Sequence, residues 1–294
     1  MRLRLEFSRG RRMAYLSHLD LMRLFSRALR RGGIPVSYTT GFNPRAQMVF
    51  GLPLQVGMTG EAEYLDIILD APAGDAPAAD TTAADTPVGD APDVRGQDDY
   101  KAIVDKINAV LPEGVAVSCA RHAAAKENIM SIISHAAYEM RVGLYPDGGA
   151  SGPSGAAGER NAPDGAAAVS EAAAGHGFES DGAAVHDVLS RAIAGFLLPG
   201  PRIAAKTQGG GTDVRYVDVA PLVRSICARG DTLCMVVKAG SVDNVRPDMV
   251  LETLNAVLKE GGAKLYRISL HRKALYTERG GELLSPISDL AIQA

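Results

Sequence analysis

Ten arginines stand in the first fifty residues (Arg2, Arg4, Arg9, Arg11, Arg12, Arg23, Arg27, Arg30, Arg31 and Arg45), against only Glu6 and Asp20. This gives the stretch a local net charge of +8 inside a chain whose formal net charge is −3. A guanidinium stays charged at any physiological pH and offers a planar fork of N–H donors that grips phosphate at two points. A basic stripe of this kind points to a polyanionic partner. Arg23, Arg27, Arg30 and Arg31 fall at i, i+4, i+7 and i+8, which puts them on one side of a helix. Gly41-Phe42-Asn43-Pro44-Arg45 joins a pliable hinge, an aromatic ring and a guanidinium, a set able to stack on and pair with a nucleotide. It also reads as an Asn-Pro turn with Phe42 in the core, and both readings stay open.

Other polar groups carry weaker signals. Arg246 lies in Ser241-Val242-Asp243-Asn244-Val245-Arg246-Pro247, just ahead of a helix start whose free N–H groups suit an anion. His271, Arg272 and Lys273 form a smaller basic cluster after a strand. His18, with Tyr15, Ser17 and Asp20 close in sequence, is the candidate for general acid/base work. Gln208-Gly209-Gly210-Gly211 is glycine-rich but is not followed by Lys-Ser/Thr, so it is not a phosphate loop of the P-loop type. Three cysteines, Cys119, Cys227 and Cys234, show neither metal-ligand spacing nor a disulfide framework, and the last two are expected in the core of strands. With no apolar leader or spanning stretch in view, the expected location is the cytoplasm, away from membrane.

The elements that must position these groups follow from periodicity. Ser17 followed by Asp20 predicts a capping box, and Leu21, Leu24, Phe25, Ala28 and Leu29 a buried stripe opposite the arginines. Gly32 and Gly33 end that helix. Leu3, Leu5 and Phe7 alternate with Arg2, Arg4 and Glu6 as a half-buried strand. Residues 35–51 are expected to run as extended chain with a turn at Gly41–Pro44, with further strands at 63–69 and 115–119 and a helix at 100–111, giving β-α-β-β-α-β. The same order repeats with strands at 138–144, 215–228, 233–238 and 265–270 and helices at 185–197 and 248–258.

The predicted fold is therefore α+β, two tandem ferredoxin-like units with antiparallel sheets, at 1–125 and 126–280, and a C-terminal tail at 281–294. Residues 71–97 and 147–182, built from Ala, Gly, Pro and acidic residues, are expected as disordered acidic insertions. Helices on one face of such a sheet leave the other face open, a common RNA platform, although no aromatic RNA-recognition motif is present.

The run from Tyr15 to Ile67 resembles the radical-SAM-linked bacterial domain of unknown function, a family found alone or fused to B12-binding radical SAM proteins. Ser-His-Leu-Asp at 17–20, Gly-Phe-Asn-Pro at 41–44 and Glu-Ala-Glu-Tyr-Leu-Asp at 61–66 carry the likeness, and the 241–247 segment resembles the family's second-half motif. The resemblance implies association with a radical SAM enzyme and work on RNA. The chain itself has no C-x-x-x-C-x-x-C motif and is expected to hold no cofactor or metal of its own. Tandem ferredoxin-like units with a histidine near the first helix are also similar in architecture to CRISPR repeat-processing endoribonucleases, although the C-terminal glycine-rich loop of those enzymes is missing. The leading expectation is an RNA-binding adaptor without catalytic activity, presenting a tRNA or rRNA to a radical SAM partner. In that role Arg23, Arg27, Arg30 and Arg31 hold phosphates, Phe42, Asn43 and Arg45 reach a base or a backbone turn, and Arg246, His271 and Arg272 extend the surface. The alternatives are a metal-independent endoribonuclease using His18 and a protein-interaction module that meets the radical SAM partner without RNA.

Overall fold

Alternation of apolar and polar residues at the N-terminus builds the first strand, β1 (Arg2–Arg9), whose Leu3, Leu5 and Phe7 are fully buried. The computed structural model describes residues 1–70, 97–124, 127–145, 181–207, 214–241, 243–258 and 263–288. The glycine-rich run at 208–211, Val242 and all but the ends of the two expected insertions lie outside these residues. The fold is α+β with largely antiparallel strands, and it divides into two compact units. Met1–Gln55, Thr59–Ile133 and Leu275–Ala294 form the first, and Val56–Met58 with Ser134–Ala274 the second.

In the first unit β1 is followed by α1 (His18–Arg31), β2 (Met48–Phe50), β3 (Met58–Ile68), α2 (Gln97–Asn108), β4 (Val115–Ala123) and the short α3 (Ile129–Ile132). The strands pair antiparallel in the order β4-β1-β3-β2. Leu21, Phe25 and Leu29 of α1 and Ile103 and Ile107 of α2 pack on Leu3, Leu5, Phe7, Leu65 and Ile67. Phe7, Phe25 and Phe50 meet edge to face, with ring centroids 4.9 to 5.9 Å apart. Each such ring contributes about 1.5–3 kcal/mol through burial. The expected cap is present: the Ser17 hydroxyl accepts from the Asp20 amide at 3.1 Å and donates to its carboxylate at 2.8 Å. Gly33, at φ +65°, closes α1 as the Ile34 amide donates back to Leu29 at 3.0 Å.

The helix-free face of this sheet is not the open platform that the sequence predicts. Its side chains Arg4, Tyr64 and Asp66 are 0–2% exposed, because C-terminal residues lie over them. The segment expected as a tail pairs instead as strand β11 (Glu282–Leu284) against the end of β10 (Leu265–Arg279), after which Ser285 and Pro286 bond to Tyr64 and Arg4. The boundary expected at 125 lies at Ile133, and the chain returns to the first unit at Leu275.

The second unit comprises β5 (His135–Leu144), α4 (Gly182–Phe196), β6 (Ile203–Thr207), β7 (Val214–Asp218), β8 (Val223–Arg229), β9 (Thr232–Lys238), α5 (Pro247–Leu258) and most of β10. The single strand expected over 215–228 is two, divided at a 3-10 turn over Ala220–Leu222. Pro221 has no N–H for a ladder, and the Asp218 carboxylate accepts from the Ala220 amide, so the chain turns there. β7 pairs with β6 as a separate hairpin, and β8 pairs with β9, which pairs with β5. Gly195 lets α4 approach α5 so closely that a methyl group there would collide with Val257. One device recurs in both units. Asn108, ending α2, bonds both backbone groups of Val117 at 2.8 Å, and Asn255 in α5 does the same to Leu265 at 2.8 and 2.9 Å.

Candidate functional site

The ten N-terminal arginines separate into three groups once folded. Arg4 and Arg9 are fully buried. Arg4 makes a two-point bond to Asp66 at 2.8 and 3.1 Å and a third to the Pro286 carbonyl at 3.0 Å, and Arg9 donates to the Leu16 and Gln55 carbonyls. A second group is engaged nearer the surface. Arg2 bonds the Glu127 carbonyl, Arg12 pairs with Glu113, Arg23 with Asp20 at 3.1 Å, and Arg31 with the Val110 carbonyl at 3.2 Å. Arg11, Arg27, Arg30 and Arg45 are exposed and have no side-chain hydrogen bond or ion pair among the described residues. Of the row expected to hold phosphates, Arg27 and Arg30 are thus uncommitted. Arg23 is held by an exposed pair that competes weakly with a stronger anion. The Ser17 hydroxyl keeps the Asp20 carboxyl below its usual range, and Arg23 and Arg27 act in the same direction.

The 41–45 stretch resolves in favour of exposure. Tyr38 bridges Ala46, the Thr39 amide donates to Arg45 at 2.9 Å, and the Gln47 amide donates to Ser37 at 2.8 Å, so 37–47 folds back as a narrow loop. Gly41, at φ +127°, turns its tip. There Phe42 is 105% exposed, with Asn43 and Arg45 beside it in the chain and also exposed. The core reading of Phe42 does not hold, since the bridge at Tyr38–Ala46 holds the tip outward.

His18 is a core-edge residue. Its ring packs edge-on against Phe50, 5.3 Å between centroids, and its Nδ1 is buried without a hydrogen-bond partner among the described residues. Burial lowers its pKa. Asp20, close to it in sequence, is engaged by Ser17 and Arg23. Among the described residues no acid–base partner is hydrogen-bonded to His18.

The remaining sequence-predicted residues fall in the second unit. Arg272 is 1% exposed, so its guanidinium is not available to a phosphate, and His271 is half-buried beside it. Leu270 and Arg272 take the buried side of β10 on either side of His271, as the two-residue period of a strand requires. Arg246 is exposed ahead of α5, but the positive end of that helix is already served by Asp248 in its first turn, which also accepts two bonds of 2.7 Å from Arg267. Burial raises the pKa of Glu252 in the same helix, and Asp248 adds to the shift. This helix start is occupied by carboxylates.

Sequence reasoning missed the polar set on the helix-free face of the first unit. Glu6 accepts from Tyr64 and from Ser118, both at 2.8 Å, and Tyr64 meets Ser285 at 3.0 Å. Burial raises the Tyr64 pKa. The Glu61–Asp66 stretch therefore serves structure: Tyr64 and Asp66 are its anchoring groups. In the second unit, a groove of about 310 Å³ between Phe196–Gly200 and Val223–Ile226 contains none of the expected residues. Among the described residues no group of three or more His, Cys, Asp or Glu side chains is placed to hold a metal ion. No helix among them is long and apolar enough to cross a membrane.

No match was found among curated proteins. A likeness does exist over residues 2–89, the stretch that contains the arginine row, the exposed loop tip and the Arg4–Asp66 pair, and there the chain is similar to a family described as an uncharacterized protein conserved in bacteria (DUF2344).

Proposed function

We propose that this protein is a cytoplasmic RNA-binding adaptor that presents a structured RNA, a tRNA or an rRNA, to a radical SAM enzyme, with no cofactor of its own. One observation carries the reading: Arg27 and Arg30 stand on one face of α1 with no carboxylate partner among the described residues, while most other arginines of the N-terminal stretch are paired or buried. Uncompensated guanidiniums on a rigid helix suit phosphate, because little ordering entropy is lost on binding. The exposed Phe42 ring supports a stacking contact with an unpaired base. Tandem ferredoxin-like units are our finer reading of the fold. The β-α-β-β-α-β order of the first unit and the shared Asn108 and Asn255 contacts support it. The radical SAM partner rests on the resemblance of residues 15–67 and 241–247 alone.

The test is a titration of the full chain with tRNA and rRNA fragments at two salt concentrations, beside a variant with Arg23, Arg27, Arg30 and Arg31 changed to Gln. Four neutralised phosphates predict a slope of log K on log salt of about −3. The variant is expected to lose most of that slope together with the affinity. Salt-independent binding, binding undiminished in the variant, or no binding to any RNA would overturn the proposal.

A further inference from the structure

The cysteines, scattered in sequence, are not scattered in the fold. Cys227 of β8 and Cys234 of β9 are direct partners in the antiparallel register, between the Ile226–Met235 and Ala228–Leu233 pairs. Directly opposed residues project from the same face of a sheet with their Cα atoms about 4.5–5.5 Å apart. That separation lies inside the range of about 4.4–6.8 Å that a disulfide spans. Both thiols are free; Cys227 is exposed and Cys234 half-buried. The core placement expected for them fails because Leu233, Met235 and Val237 take the buried side of β9, which leaves Cys234 on the other.

We infer that Cys227 and Cys234 form a reversible redox modification site, a cross-strand dithiol that low-molecular-weight disulfides convert to an intramolecular disulfide. The Cys227 thiolate, the more accessible sulfur, attacks one sulfur of the oxidant and expels the first small thiol, leaving a mixed disulfide on Cys227. The Cys234 thiol then loses its proton to solvent and attacks the Cys227 sulfur, expelling the second small thiol. The protein gives up two electrons and two protons, and the oxidant's S–S bond is reduced to two thiols. An excess of small thiol reverses both steps. The order follows from surroundings: burial and the adjacent Cys227 raise the Cys234 pKa, Glu139 acts in the same direction and Arg229 opposes them. Glu139 is the partner of Cys234 on β5 and lies 3.7 Å from Arg229. The third thiol supplies an internal control, since Cys119 faces Glu6 across its ladder, not another cysteine.

The experiment is intact-mass and peptide analysis of the full chain after incubation with oxidised glutathione, beside Cys234→Ser and Cys227→Ser variants. The native protein is expected to lose two hydrogens, to keep no glutathione on the β8–β9 hairpin, and to return to the starting mass with dithiothreitol. Cys234→Ser, which lacks the resolving thiol, is expected to retain one glutathione on Cys227, while Cys227→Ser forms no internal disulfide. Glutathione retained on Cys227 in the native protein, a disulfide-linked dimer, or no reaction at the hairpin would each overturn the proposal.

Discussion

Arg4 and Arg27 are the same residue type with opposite fates, and the difference lies in what each meets. Arg4 alternates with Leu3 and Leu5, so the sequence assigns it to solvent; its cover arrives from Pro286, 282 residues away, a contact that no local pattern encodes. The Arg4→Ala change strands the Asp66 carboxylate in the interior and is expected to cost about 3–5 kcal/mol in urea unfolding. Arg27→Gln removes no contact and is expected to stay within about 0.5 kcal/mol of the parent. His18 is readable in the same terms. Its folded pKa is lowered by burial, so between that value and the ordinary value of about 6.5 the unfolded chain binds the proton more readily. Stability therefore rises with pH through this window and falls as the pH drops through it. Denaturation midpoints measured at about pH 7.5 and about pH 5.5 should diverge more in the native protein than in His18→Gln. Equal divergence in the two would show that burial at the Phe50 contact does not lower the pKa of this imidazole.

At the scale of elements, what could be read from the sequence was what is local. Ser17, Asp20, the apolar stripe of α1 and its terminal glycines all lie within one helix and its ends, and each behaves as its chemistry dictates. The position of Phe42 was undecidable because a turn with an inward ring and one with an outward ring share the same Gly-Phe-Asn-Pro sequence. The Tyr38–Ala46 bridge makes the choice. The split of 215–228 into β7 and β8 is legible only if Pro221 is weighed above the apolar run on either side of it, since a proline cannot donate to a ladder. Asn108 and Asn255 carry no local signal, since the strand backbone each one bonds lies 9 or 10 residues further along the chain. The loop tip yields its own prediction. With its ring already in water, Phe42→Ala should leave the unfolding midpoint unchanged while weakening RNA binding by about 1–3 kcal/mol, the range of one base–aromatic stack. Calorimetric titration beside thermal unfolding reads both quantities. A fall in stability without a fall in affinity would assign the ring to the fold instead.

At the scale of the whole molecule, the path of the chain matters more than the order of its elements. The first unit is not a contiguous segment: the chain leaves it at Ile133 and re-enters it at Leu275. The returning residues supply β11, the Ser285 hydroxyl to Tyr64 and the Pro286 carbonyl to Arg4, and thereby bury the Arg4–Asp66 pair. A boundary drawn from repeated periodicity cannot anticipate this, because the covering segment is too short to show a period of its own and reads as a tail. The physical consequence is specific. A fragment of residues 1–133 keeps every helix and strand of the β4-β1-β3-β2 sheet and its three-phenylalanine core, yet it exposes an ion pair and a tyrosine whose surroundings were built by the C-terminus. Exposure relieves part of the desolvation penalty on the pair, so the loss is smaller than for Arg4→Ala. It also loses the packing of Leu275, which is fully buried in the full chain, at about 0.8 kcal/mol for each methylene equivalent of apolar surface returned to water. The fragment is expected to unfold at lower urea than the first unit does within the full chain. Adding back residues 275–288 through a flexible linker after residue 133 should restore most of the difference. A fragment of 1–133 as stable as the unit in the full chain would mean that the C-terminal strand covers the sheet without supporting it, and the Arg4–Asp66 pair would then have to be self-sufficient.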